Sequence, residues 1–153
     1  MTGRKRHAYA AAAFIALFWL GMLVGVSFLA TPVKFEAPSL DLPVALDVGR
    51  VTFALFSRIE WIPAVLLLAV VALPRLGVWM IAGAAAAVAL LAAEFFWLLP
   101  VLDQRVEAIM AGELLPASSH HFLYASAEVM KAFLLLAVGL GGLLRPAMEP
   151  AAE

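Results

Sequence analysis

Six ionisable side chains lie within or at the edge of stretches otherwise apolar enough to cross a bilayer: Arg50, Arg58 and Glu60 in one, Glu94 in a second, Glu128 and Lys131 in a third. An ionisable group in hydrocarbon costs about 2.5–3.5 kcal/mol on insertion scales, so it is kept with a partner or a task. Such groups can carry protons, hold a cation or pair with one another. His121, Tyr124, Glu128 and Lys131 follow one another at steps of three, four and three, which on a helix makes one stripe. Glu128 and Lys131 then stand close enough to pair. Arg58 and Glu60 would point about 200° apart on a helix. They therefore call for different partners, and Arg58 with Glu94 and Glu60 with Lys131 is one such arrangement. Three cations against three carboxylates favour a closed network over an open charged pore.

Other chemistries find little support. The chain has no cysteine, which excludes disulfides, thiolate metal sites and cysteine nucleophiles. His120 and His121 are adjacent, so on a helix they diverge by about 100° and miss the i, i+4 geometry that puts two histidines on one metal. A capping or interfacial role suits them better. No span carries a deep histidine for a haem, and no Ser-His-Asp set, phosphate-binding glycine loop or Glu-x-x-His pair is visible. Neither a metal nor another cofactor is expected. A net charge of −1 gives no basic face for nucleic acid.

The elements that must position these groups are membrane helices. Of 153 residues, 65% are hydrophobic and 14% charged, whereas a soluble domain carries about 25% charged residues. Lipid is the natural solvent, and the expected fold is all-α: a single-domain, polytopic bundle of four transmembrane helices. The spans read as about Ala8–Ala30, Val48–Leu73, Leu76–Leu99 and His121–Leu144. Each exceeds the ~20 residues a helix needs to cross the hydrocarbon. The second is interrupted by Arg58, Glu60 and Pro63, yet without it the charge bias of the loops becomes inconsistent. The first follows Arg4, Lys5 and Arg6 but is far longer than the 7–15 residues of a signal-peptide core, so it is expected to remain as a helix.

Four spans put both termini on one side, together with Arg4, Lys5, Arg6, Arg75 and Arg145, while only Lys34 and Arg105 lie in the opposite loops. The positive-inside rule makes the termini cytoplasmic, and the Ala/Leu-rich composition suggests a bacterial inner membrane. All six charges then fall in the outer half or at the midplane. Trp79 and Trp97, about 27 Å apart along a helix, suit the two interfacial belts. Pro32, Pro38 and Pro43 predict an extended or turned connection over Thr31–Asp47. Between Pro100 and Ser119, Leu102, Val106, Ile109 and Met110 share one face of a short interfacial helix. Gly112 would end that helix, and Ser118 or Ser119 would cap the fourth span. Gly21 and Gly25 form a G-x-x-x-G that permits close helix approach, within one chain or between two.

The stretch from Gly21 to Pro32, ending Phe28-Leu29-Ala30-Thr31-Pro32, then Val48-Gly49-Arg50 with Phe53 and Phe56, and more loosely Asp103-Gln104-Arg105, resembles small four-helix proteins related to transmembrane protein 205, the domain-of-unknown-function 4149 group. The resemblance implies a four-helix fold and no known chemistry. Arg58, Glu60, Glu128 and Lys131 are not part of that pattern.

Three functions fit these residues. One is transport of a small solute, ion or proton through a charged outer cavity, or an accessory role to it. A second is a structural or assembly protein whose ion pairs only lock the bundle. The third is a membrane enzyme using Glu60, Glu94 and Glu128. The expected partners are the lipid bilayer and, left open, a second copy or another membrane protein.

Overall fold

The structure is a computed structural model describing residues 2–148. Four long helices run Gly3–Glu36 (α1), Leu42–Ala72 (α2), Val78–Met110 (α3) and His120–Met148 (α4). They alternate in direction, and each packs on its neighbours in sequence, with α4 closing the ring against α1. The result is an up-down-up-down transmembrane bundle.

All four helices are longer than the spans read from the sequence, although α2 stops one residue short of Leu73 and α3 starts two residues after Leu76. Two prolines show why α1 and α3 run on. Pro32 and Pro100 were expected to stand outside helices, yet the helix continues through both. Proline lacks an N–H and its ring clashes with the carbonyl four residues back. In each case the turn just before is widened into a π-helix, over Val24–Ala30 in α1 and Glu94–Leu98 in α3. Its last bond skips five residues: Thr31 N–H donates to the Val26 carbonyl and Leu99 N–H to the Glu94 carbonyl. The widening moves the carbonyl that the proline would strike. In α1 the Thr31 hydroxyl adds a second bond to Val26 O at 2.8 Å. The expected interfacial helix is therefore the end of α3, and the expected extended connection shrinks to residues 37–41. Pro63 sits inside α2 without breaking it.

The turns follow the sequence more closely. Gly112 (φ 84°) ends α3, with Glu113 N–H returning to the Ala108 carbonyl. Arg75 (φ 53°) and Gly77 (φ 126°) take left-handed backbone in the tight α2–α3 hairpin. The Ser118 hydroxyl accepts the His120 N–H at 3.2 Å and lies 2.7 Å from His120 Nδ1, while Ser119, whose carbonyl accepts the Leu123 N–H, holds the N-cap position.

Small residues set the helix spacing. A Cβ on Gly142 would stand 2.7 Å from the Tyr9 carbonyl oxygen and 2.9 Å from Ala13 Cβ, and one on Gly139 would meet Leu17. These glycines bring α4 against α1. Gly21 and Gly25, by contrast, have nothing within 4 Å of where a Cβ would sit, so the G-x-x-x-G plays no part in packing the chain on itself. The half of the bundle near the termini has an apolar core of Ala12, Ala16, Leu67, Val71, Ala84, Leu135 and Val138, with Tyr9 at its end, whose hydroxyl donates to the Leu76 carbonyl. A groove of about 510 Å3 runs along its flank between α3 and α4, lined by Gly83, Val138 and Arg145. Trp79 lies exposed at the start of α3 and Trp97 lies exposed just past its middle, because the helix runs on to Met110.

Candidate functional site

Where the apolar core stops, about 20 Å along the helices from the termini's end, four charged side chains converge. Lys131 of α4 donates to Glu94 of α3 at 2.5 Å and to Glu128 of its own helix at 2.8 Å. Its Nζ also stands 3.0 Å from Glu60 Oε1 of α2. Trp19 of α1 completes the set, its indole N–H donating to the same Glu60 oxygen at 2.8 Å. Every helix contributes, and all five side chains are at most 1% exposed.

Local chemistry explains each placement. The i, i+3 spacing stacks Glu128 under Lys131. Glu94 opens the π-helical turn of α3, a widening frequently found at functional positions. Glu60 lies on the face of α2 that also buries Phe56, Ala64, Leu67 and Val71. Arg58, two residues earlier, necessarily turns away.

The expected balance of charges does not hold. Arg58 shares its face with Val51, Leu55, Ile62 and Val65, all exposed to lipid, and among the described residues it makes no ion pair with Glu94 or any other carboxylate. Arg50 stands nearer the loop end, 2.7 Å from Asp47 and 3.6 Å from Glu107. Of eight residues singled out in the sequence, Glu60, Glu94, Glu128 and Lys131 meet, and Arg50 and Arg58 lie apart. The centre is three carboxylates on one ammonium, not a closed set of pairs. One oxygen from each lies within 4.8 Å of the other two, and the Lys131 ammonium reaches all three residues.

A hollow adjoins the buried centre on its other side. A cleft of about 520 Å3 opens between α1, α2 and α4 and reaches Glu128. Tyr124 and His121, the next residues of the α4 stripe, line it, and Tyr124 packs edge-on against Phe53 with ring centroids 5.3 Å apart. An adjoining hollow of about 240 Å3 shares Tyr124 and His121 and is lined by Lys34, Arg50, Asp103 and Arg105. Three polar atoms near the centre are buried without a hydrogen-bond partner: Glu94 Oε1, Glu128 Oε2 and Ser27 Oγ. Buried polar groups are normally satisfied, and a carboxylate oxygen left alone costs several kcal/mol in so apolar a setting.

Trp19 and Ser27 escaped the sequence reading. Both sit in a span without charge, where a lone indole or hydroxyl looks like filling. The usable signal was that they are donors in the one span, Ala8–Ala30, that carries no charged residue to match the other three. No family model, curated protein or solved structure matches the chain.

Proposed function

We propose that this is a multi-pass protein of a bacterial inner membrane, both termini cytoplasmic, whose Glu60–Glu94–Glu128–Lys131 centre binds protons exchanged with the outer side in the service of small-solute transport. The observation that carries the reading is the ratio of three buried carboxylates to one ammonium. With all three ionised the centre would hold two uncompensated negative charges in hydrocarbon, each costing several kcal/mol. It is neutral when two protons join it. A group that must hold protons, at the inner end of a cleft open to one side, is suited to taking them up and releasing them. The cationic loops at the termini's end support the orientation, and the packed apolar core between the centre and that end supports proton exchange with the other side.

Two experiments test it. Alkaline phosphatase fused after Ser118 should be active and after Leu73 inactive; the reverse would overturn the orientation. In vesicles containing the purified protein and a trapped pH dye, an imposed pH gradient should collapse faster than in empty vesicles, and Glu128→Gln should abolish the difference. Wild-type protein no leakier than empty vesicles would sink the proton reading.

A second reading has its own support: the centre ties all four helices together through Trp19, Glu60, Glu94 and Lys131, which suits a purely structural lock. A lock predicts no proton movement and a strong loss of stability on mutation, so the vesicle experiment separates the two.

A further inference from the structure

The geometry points to the cleft between α1, α2 and α4 as a binding site for a lipophilic organic cation, a protonated amine with an aromatic or alkyl body. The inference rests on the proton-binding reading and names the solute. The walls are apolar and aromatic, with Phe28, Phe35, Phe53 and Tyr124 facing the space. Its volume of about 520 Å3 falls in the range of small-molecule sites. Glu128 is the only charged residue in the lining; Lys34, Arg50 and Arg105 line the adjoining hollow instead. Glu128 is 1% exposed; its Oε1 is held by Lys131, while its Oε2 makes no well-formed hydrogen bond, with the Tyr124 hydroxyl beside the carboxylate. Ser27 Oγ, also unpartnered, belongs to the same wall. Glu128 lines the cleft with excess negative charge behind it, its Oε2 buried in the wall, and the other walls offer aromatic faces that attract a desolvated cation. An ammonium donating to Glu128 Oε2 supplies the missing hydrogen bond and one of the two missing positive charges. Anions are disfavoured by the same excess charge, and a neutral hydroxyl can donate the hydrogen bond but supplies no charge.

Glu128 is faced by Lys131 and Tyr124 on its own helix, by Glu60 of α2 with Trp19 of α1 behind it, and by Glu94 of α3. Since Lys131 already supplies the single fixed positive charge, an arriving ammonium takes the place of a proton. Amine in and proton out is an exchange at one set of carboxylates.

The test is calorimetric titration of the purified protein in detergent with 4-phenylbutylammonium, beside the neutral 4-phenylbutanol, in buffers of different ionisation enthalpy. The amine should bind at least tenfold tighter than the alcohol and release about one proton. Glu128→Gln should lose at least tenfold in amine affinity. Ala125→Phe, which fills the cleft from its wall and leaves the charges alone, should do the same, with thermal melting confirming that each variant is folded. Equal affinity for amine and alcohol, or full amine affinity in folded Ala125→Phe, overturns the site. Amine binding with no proton released keeps the cleft and overturns the exchange. A proton leak in vesicles with no amine binding overturns the cleft and leaves the proton reading standing.

Discussion

Trp19 and Glu60 share one hydrogen bond, indole N–H to carboxylate oxygen at 2.8 Å, and the oxygen that accepts it also faces the Lys131 ammonium at 3.0 Å. A residue from the one span without charged residues thus fixes the position of a carboxylate that the ammonium needs. Hydrogen bonds to charged groups contribute about 1.5–3 kcal/mol. Trp19→Phe keeps most of the bulk of a fully buried side chain and removes the donor. It should lower the thermal midpoint in detergent, and the loss should largely vanish in a Glu60→Gln background, where the accepting charge is gone. Equal losses in both backgrounds would show that Trp19 matters only as filling.

The α1–α4 contact depends on backbone approach rather than on side-chain bulk. Gly142→Val places its Cβ against the Tyr9 carbonyl and Ala13, and neither can yield without moving α1. A cost of about 1–3 kcal/mol is expected from such overpacking. Gly25→Ala meets open space and should be neutral or slightly stabilising, since alanine is the better helix former by up to about 1 kcal/mol. Melting of the two variants side by side checks the contrast; a Gly25→Ala protein as damaged as Gly142→Val would mean that the wrong glycines have been assigned to the contact.

The fold was legible because hydropathy and span length are enough to specify a helix in lipid. The helix ends were not, because Pro32 and Pro100 normally end helices, and nothing in a linear pattern announces the π-helical turn that lets each continue. For the centre, the i, i+3 spacing revealed Glu128 with Lys131, and the 200° divergence warned that Arg58 and Glu60 part company. What periodicity could not supply was the rotation of α2 as a whole. With Glu60 inward Arg58 meets lipid; with Arg58 inward the charge balance would have been different. The choice belongs to the Phe56–Ala64–Leu67–Val71 face, whose burial outweighs the exposure of one arginine long enough to reach towards polar headgroups.

Arg58 therefore gives a test of that rotation. On the lipid-facing stripe of α2, leucine replaces an arginine that insertion scales penalise by up to about 3.5 kcal/mol. Arg58→Leu should leave folded yield and thermal midpoint unchanged or raise them. A loss of yield comparable to that of the buried lysine variant below would place Arg58 inside the network after all.

Lys131 is shared, and that changes what compensation means. If it served Glu128 alone, removing both partners would restore an apolar core, since a buried pair can be replaced at little cost. It serves three carboxylates, one oxygen of each lying within 4.8 Å of the other two. Lys131→Met should cost at least the 3–5 kcal/mol typical of a stripped buried charge. Adding Glu128→Gln should recover only part of it, because Glu60 and Glu94 still face each other without a cation. Recovery should rise with each further neutralisation and be greatest when Glu60→Gln, Glu94→Gln and Glu128→Gln accompany Lys131→Met. Truncation to Lys131→Ala leaves three oxygen ligands around the vacated ammonium position, which suits a hard divalent cation. Added Mn2+ should then raise the thermal midpoint of Lys131→Ala, as any ligand of the folded state does, while leaving the wild type unmoved. Full recovery by the Lys131→Met/Glu128→Gln double variant alone would contradict the shared centre and return Lys131 to a simple pair.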